Sequence, residues 1–193
     1  MLLPIKKRVL IPLVIVFFFS IKGALAQQFN LTPTDSQLTV LGTSNLHDWH
    51  ITADNYEGQI FFNDIATCDI EKCAISIVSE SLKSGKKSMD KNTYKALKTA
   101  DYKTITFQIT KINQVVNNTN GLFSVKAEAN LSIIGVTKQI SINLDINTSS
   151  DKIILTGEKT IKMTDFGVIP PKALFGTITT GDEITIKFKS TFK

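Results

Sequence analysis

The chain has 193 residues, of which 42% are hydrophobic and 20% charged, with 10 Gly and 5 Pro. This composition excludes a disordered chain, a collagen and a short disulfide-rich scaffold. The formal net charge of +5 and the pI of about 9.1 suggest an anionic partner, such as a nucleic acid or an acidic membrane surface.

Residues 1–26 are predicted to be a secretory signal peptide. Three basic residues at 6–8 precede an uncharged apolar run at 9–21, and Ala-Leu-Ala at 24–26 supplies the small residues that a signal peptidase accepts. An uncleaved membrane anchor is the alternative, but the run is shorter than the ~20 residues of a typical membrane span. We expect cleavage after Ala26 and a periplasmic or secreted domain over 27–193.

Loss of this segment removes the basic excess. It contains four of the 22 basic residues, so 18 lysines remain against 17 acidic residues and the net charge falls to +1. No arginine remains, and the mature chain therefore lacks the forked donor that reads phosphates and guanines. We expect no nucleic-acid partner.

Apolar residues at every second position dominate the chain from residue 32 onward, a pattern typical of β-strands with one buried face. Clusters of turn residues at 117–121, 147–151 and 180–182 are predicted to be hairpin loops. Helix formers at 88–100 predict a short amphipathic helix between strands. The predicted strands lie at 38–42, 49–62, 74–78, 105–109, 122–133, 140–146, 153–161 and 184–188.

This succession predicts one all-β domain, either a sandwich or an antiparallel barrel of about eight strands with a helical insertion. A barrel of that size is filled by its side chains or holds one ligand, and the pattern alone leaves both options open. The residues predicted to face inward are Ile75, Ile77, Ile105, Phe107, Ile109, Ile140, Ile142, Leu144, Ile184, Ile186 and Phe188.

Cys68 and Cys73 are the only cysteines, and both lie in the part predicted to be exported. A close pair outside the cytosol is more often a disulfide than two thiols, so we predict a Cys68–Cys73 disulfide. Two thiolates without a nearby histidine are too few ligands for a zinc site, and no metal is expected there.

The densest polar cluster, His47-Asp48-Trp49-His50, contains both histidines and the only tryptophan. One hypothesis is a metal-dependent enzyme centred on His47, Asp48 and His50, although two histidines three apart on a strand point to opposite faces. The other interpretation is a corner where a strand begins, with Trp49 packed over the barrel end. No nucleophile-elbow or zinc-protease motif occurs, so we expect no enzyme.

Six lysines between residues 83 and 98 are a further polar feature. They either form a solvated helix face or attract an anionic headgroup or a membrane surface. Transient membrane contact is therefore one option, and the oligomeric state, a homodimer included, stays open.

Several stretches, in their order and spacing, resemble the YceI-like proteins of bacteria over about residues 32–193. They are LGTSNLHDW at 41–49, SLK at 81–83, MDKNTYKALK at 89–98, YKTITF at 102–107, LSIIGVTK at 131–138 and MTDFG at 163–167.

The resemblance implies an exported, extended antiparallel barrel of lipocalin type. Its ligand would be a long-chain isoprenoid or a similar amphiphilic lipid held inside, with no other cofactor. His47, Trp49, Met89 and Tyr94 are the candidates for the barrel end.

An outer-membrane β-barrel is the structural alternative, because it also alternates apolar and polar residues after a signal peptide. Its apolar face would point outward. The terminal Lys193, where an aromatic residue would be expected, and the predicted helix at 88–100 argue against it.

Overall fold

The computed structural model describes residues 26–193, so the predicted signal peptide falls outside the described residues except for Ala26. Over this range the chain forms twelve strands and one α-helix. The elements are β1 (Gln27–Asn30), β2 (Gln37–Ser44), β3 (Trp49–Ala53), β4 (Tyr56–Asp64), β5 (Asp69–Val78), β6 (Leu82–Lys83), α1 (Lys87–Ala96), β7 (Thr104–Asn117), β8 (Leu122–Ile133), β9 (Val136–Asn147), β10 (Ile153–Lys162), β11 (Lys172–Ala173) and β12 (Ile178–Phe192).

The strands form one curled antiparallel sheet, which confirms the predicted all-β, lipocalin-like class. Eight of them have eight residues or more, namely β2, β4, β5, β7, β8, β9, β10 and β12. The sheet order is β1-β4-β5-β7-β8-β9-β10-β12-β2-β3-β6, and β11 pairs separately with β12.

The first and last strands meet, which curls the sheet on itself. The Asn30 amide donates to the Lys193 carbonyl at 2.7 Å, and the Lys193 amide donates to the Asn30 carbonyl at 2.8 Å. A bridge between Leu31 and Phe192 continues this contact. The end of β1 therefore lies between β4, with which it pairs, and the end of β12.

The helix α1 begins one residue earlier and ends four residues earlier than predicted. The Ser84 amide and hydroxyl both donate to Asp90 Oδ1, at 2.7 and 2.6 Å, which fixes the first turn. Hydrogen bonds from the Ser84 hydroxyl and amide lower the pKa of the Asp90 carboxyl. Lys98 takes a left-handed φ of 47°, which no helix continues. No helix among residues 26–193 is long and apolar enough to cross a bilayer.

The predicted loop at 180–182 is wrong, because these residues lie inside β12. The pairing of β12 with β2 shifts register between Thr180 and Ile184, so Gly181 marks a bulge and not a reversal of the chain. Asp182 accepts hydrogen bonds from the amide and hydroxyl of Thr164, at 2.9 and 2.6 Å. The bulge therefore ties β12 to the short helical turn Met163–Phe166.

Alternation along the strands gives the sheet an apolar inner face and a polar outer face. On β8, Val125, Ala127 and Ala129 are buried. Lys126 and Glu128 alternate with them on the opposite face, where they are exposed and half-buried. β9 shows the same pattern.

One end of the interior is filled by side chains. Large residues with almost no exposed surface meet there from β4, β8, β9, β10 and β12. They are Ile60, Phe62, Val125, Ile146, Ile153 and Phe192. A second apolar cluster, which includes Leu131, Ile161 and Phe166, lies where the Met163–Phe166 turn packs on the sheet.

The predicted Cys68–Cys73 disulfide is absent, and both residues are buried free thiols. Cys73 lies within the extended strand β5, whose first residue follows Cys68. At about 3.3 Å per residue, residues 69 and 73 are roughly 13 Å apart. A disulfide requires Cα atoms within about 7 Å, so the strand itself separates the two sulfurs.

We predict that neither thiol reacts in the folded protein. Burial raises the pKa of Cys68 to about 11 and that of Cys73 to about 12, so both stay protonated at pH 8 and react slowly. A thiol titration at pH 8 should count no thiol in buffer and two in denaturant without reductant. If the denatured chain has no titratable thiol and a mass lower by two hydrogens, the Cys68–Cys73 disulfide is present after all.

Candidate functional site

An apolar cavity of about 870 Å³ occupies the part of the barrel that side chains do not fill. This volume lies within the range of ~300–1,000 Å³ that small-molecule sites in proteins occupy. Its walls come from the long strands, from α1 and from the segment between β10 and β12. The cavity is therefore the principal candidate site among the described residues.

Ten of the eleven residues predicted to face inward line this cavity. They are Ile75, Ile77, Ile105, Phe107, Ile140, Ile142, Leu144, Ile184, Ile186 and Phe188.

Ile109 is the exception. It pairs with Ala129 on β8 and lies in the filled core, where it is 8% exposed. The two residues before it on the inner face of β7, Ile105 and Phe107, still border the cavity.

Trp49 lies at the cavity wall because Gly42 leaves room for its indole. The two residues pair across β2 and β3. A Cβ atom at Gly42 would lie 2.1 Å from Trp49 Cζ2, far inside van der Waals contact. The indole Nε1 donates to the Thr43 carbonyl at 2.9 Å, which holds the ring at the edge of the cavity.

The structure separates the residues of the metal-centre hypothesis. His47 borders the cavity, and its Nδ1 lies 2.7 Å from the Asp48 carbonyl oxygen. Trp49 and Ile51 both line the cavity, so His50 between them lies on the opposite face of β3. Among residues 26–193, no three His, Cys, Asp or Glu side chains come together as a metal site.

Of the two helix residues predicted at the barrel end, only Met89 reaches the cavity. Tyr94 does not, which corrects that part of the prediction. Its hydroxyl donates to the Glu80 carbonyl at 2.9 Å and accepts a hydrogen bond from Lys83 Nζ. This tyrosine therefore fastens α1 to the segment before β6.

Several lining residues escaped the sequence analysis. The stretch between β10 and β12 contributes Met163, Val168, Leu174 and Phe175, and it has no regular period from which an inner face could be read. Four lysines also border the cavity, among them Lys159 on β10. Residues 153–161 were predicted as a strand, and the spacing of Lys159 from Ile161 in that strand already places both on one face.

The family comparison agrees with this architecture. The model of the YceI-like domain matches residues 29–192. The chain belongs to the YceI-like family. The match runs from the third residue of β1 to the last residue of β12, so nearly the whole sheet and all residues that line the cavity fall within the family domain.

Solved structures share the fold at low sequence identity. A polyisoprenoid-binding domain from Saccharophagus degradans, implicated in plant cell wall breakdown, has a TM-score of 0.69 at 16% identity, covering 86% of this chain and 97% of its own. BcnA from Burkholderia cenocepacia has a TM-score of 0.67 at 16% identity, covering 83% and 98%.

The YceI protein of Campylobacter jejuni has a TM-score of 0.59 at 21% identity, covering 72% of this chain and 81% of its own. Among curated protein sequences, none matches this chain significantly.

Proposed function

We propose that this YceI-like protein is a non-enzymatic binding protein that holds a long-chain isoprenoid or similar amphiphilic lipid inside its barrel. The observation that carries the proposal is the apolar cavity of about 870 Å³. The similarity to a polyisoprenoid-binding domain from S. degradans supports the ligand class. A carrier or sequestering role is part of the proposal, and the mostly apolar walls of the cavity support it.

Hydrocarbon contacts alone can supply useful affinity. Each buried methylene contributes about 0.8 kcal/mol, so a chain of ~20 carbons gains roughly 16 kcal/mol before costs. Association and ordering take back about 4–15 kcal/mol. The balance supports binding without a charged group, with loose discrimination between chains of similar shape.

The direction of the apolar faces supports a ligand inside the barrel and not a bilayer around it. A transmembrane barrel carries an apolar band outside and polar residues within. Here Lys126 and Glu128 stand on the outer face of β8, while Val125 and Ala127 are buried inside. Solubility of the purified domain without detergent would agree with this orientation.

A bulky side chain that projects into the cavity should weaken binding. Ile140→Trp places a bulky ring where a half-buried isoleucine borders the cavity, whereas Ser141→Trp places the same ring on the outer face of β9. We expect Ile140→Trp to weaken uptake of geranylgeraniol at least ~10-fold and Ser141→Trp to leave it unchanged.

Native mass spectrometry gives the bound fraction, and the fluorescence of Trp49 reports occupancy in the unmodified protein. Ile140→Phe adds less volume and serves as the test variant if Ile140→Trp does not fold. We expect it to lose less affinity than Ile140→Trp would. A wild-type domain that takes up no isoprenoid or other long-chain lipid would refute the proposal.

The rim of the cavity consists of two loops that contribute lining residues, 45–48 between β2 and β3 and 163–177 between β10 and β12, and these loops expose large apolar side chains. Leu46, Ile169 and Leu174 are 65%, 79% and 67% exposed, and Phe175 is fully exposed. Asn45 joins the two rim loops, since its amide side chain donates to the Thr177 carbonyl and accepts from the Thr179 amide. Such a patch beside a lipid site supports transient contact with a membrane surface, which we include in the proposal.

Membrane contact should depend on this rim. We expect the double change Leu174→Ser and Phe175→Ser to reduce cosedimentation with phosphatidylcholine–phosphatidylglycerol vesicles about tenfold or more, because two apolar side chains lose their burial. The matched control is Val115→Ser with Val116→Ser, two exposed residues at the β7–β8 hairpin. If the Leu174/Phe175 variant and the Val115/Val116 control bind vesicles equally well, the rim is not the membrane-binding surface.

Export of the domain is the last part of the proposal. Residues 1–26 carry the basic, apolar and small-residue segments of a signal peptide. The intact mass of the protein purified from its natural source should correspond to a chain that begins at Gln27, recovered from the periplasmic or secreted fraction. A full-length mass in the cytoplasmic fraction would contradict it.

A further inference from the structure

Five exposed lysines lie on and beside α1. Lys87, Lys91 and Lys95 repeat at every fourth position of the helix and therefore share one face. Lys86 precedes the helix and Lys98 follows it. We call these five residues the basic stripe. Like charges four positions apart on a helix repel one another, so the basic stripe does not stabilise α1.

Within residues 26–193, acidic groups do not neutralise the basic stripe. The salt bridges found there all use lysines outside α1 and outside the stripe. The only acidic residue of the helix is Asp90, which is half-buried and accepts hydrogen bonds from the amide and the hydroxyl of Ser84. The basic stripe is therefore a solvent-exposed surface of one sign.

The positive charge of the domain is concentrated around this helix. Seven lysines and two aspartates lie between residues 83 and 103, which gives this segment a net charge of +5. The rest of residues 27–193 has 11 lysines and 15 acidic residues, which gives it a net charge of −4. A domain that is nearly neutral as a whole therefore has one strongly basic segment, and this segment attracts anionic surfaces.

The basic stripe and the apolar rim border the same opening. A residue that lines the cavity and is also exposed to solvent lies where the cavity opens. Lys86 and Lys91 meet both conditions beside and on α1, and Leu174 and Phe175 meet them in the loop 163–177. Cations and large apolar side chains are therefore found together around the mouth of the barrel.

This combination fits an anionic bilayer. Ammonium groups bind at the level of acidic headgroups, and exposed apolar side chains enter the boundary between headgroups and acyl chains. Asp48 and Asp165 belong to the rim loops, but neither lines the cavity, and no other carboxylate of the described residues does. A nucleic acid would match the lysines and leave the apolar rim exposed to water.

We propose that the mouth of the barrel docks on an anionic bilayer, with the basic stripe at the headgroups and Leu174 and Phe175 inserted among them. This inference rests on the membrane contact included in the proposed function, and it adds the charge of the lipid surface and the helix that recognises it. In this orientation the cavity opens toward the bilayer. A hydrocarbon chain can then pass between the bilayer and the cavity without crossing bulk water.

Vesicles of two compositions test the role of charge. Cosedimentation of the wild-type protein is measured with phosphatidylcholine vesicles and with vesicles that also contain phosphatidylglycerol. We expect binding to the anionic vesicles to be at least ~10-fold stronger, because each lysine near an acidic bilayer strengthens binding about fivefold. This preference should fall at ~0.5 M salt, where the charges are screened.

A triple variant tests the role of the helix. Lys87→Gln with Lys95→Gln and Lys98→Gln removes three cations of the basic stripe that do not line the cavity. Glutamine favours a helix about as well as lysine does, so α1 should be retained. We expect binding to the anionic vesicles to weaken ~10-fold or more, whereas uptake of geranylgeraniol from solution, measured by native mass spectrometry, should stay within about twofold of wild type.

The matched control loses the same charge from other surfaces. Lys111→Gln with Lys126→Gln and Lys189→Gln changes three exposed lysines on β7, β8 and β12 that do not line the cavity. This variant should bind anionic vesicles as the wild type does. Loss of binding that follows net charge alone would be equal in the two triple variants.

The outcomes separate this inference from the proposed function. Equal binding of the wild type to neutral and anionic vesicles, or equal losses in the two triple variants, would overturn the inference and leave the lipid site intact. Release from anionic vesicles by polyglutamate at the same concentration of charge would indicate an acidic protein partner and would also overturn it. A protein that binds anionic vesicles but takes up no geranylgeraniol or other long-chain lipid would refute the lipid-binding function and leave the docking surface in place.

Discussion

The inward orientation of the apolar strand faces is the constraint on which the rest of this molecule depends. The sheet must curl to bury those faces, and the contact between Leu31 and Phe192 holds its first and last strands together. Large residues such as Phe62 and Ile153 meet without gaps at one end. Around Ile105 and Ile184 the side chains of the opposing walls do not meet, and the space between them is the cavity.

Elements outside the paired strands form part of the cavity wall. The helix α1 borders it with Met89 and Leu97, and the segment between β10 and β12 borders it with Met163 and Phe175. β9 and β10 share only four paired positions, the last being Gly157 with Leu144, so their remaining lengths diverge. The Met163–Phe166 turn contacts both β9 and β10. It therefore covers part of the gap between these two strands where they no longer pair.

The sequence was most informative where the local pattern and the fold agree. β8 was predicted at the residues it occupies, because alternation and the flanking turns all mark the same segment. Prediction failed where a local signal competes with long-range pairing. The Thr-Gly-Asp triplet at 180–182 resembles a loop, yet β2 pairs across it and makes it a bulge. The Cys68–Cys73 spacing resembles a closed loop, yet β5 starts at Asp69 and separates the sulfurs.

Lys159 is a residue of the site whose position could have been predicted from the sequence. Its place on an inner face follows from the same period of two that predicted the strand, and only its partners across the sheet required three-dimensional structure. Lys159 interrupts the run of apolar residues on the inner face of β10, because it stands two positions before the buried Ile161 and is half-buried itself. Residues that break the local pattern are concentrated at functional sites.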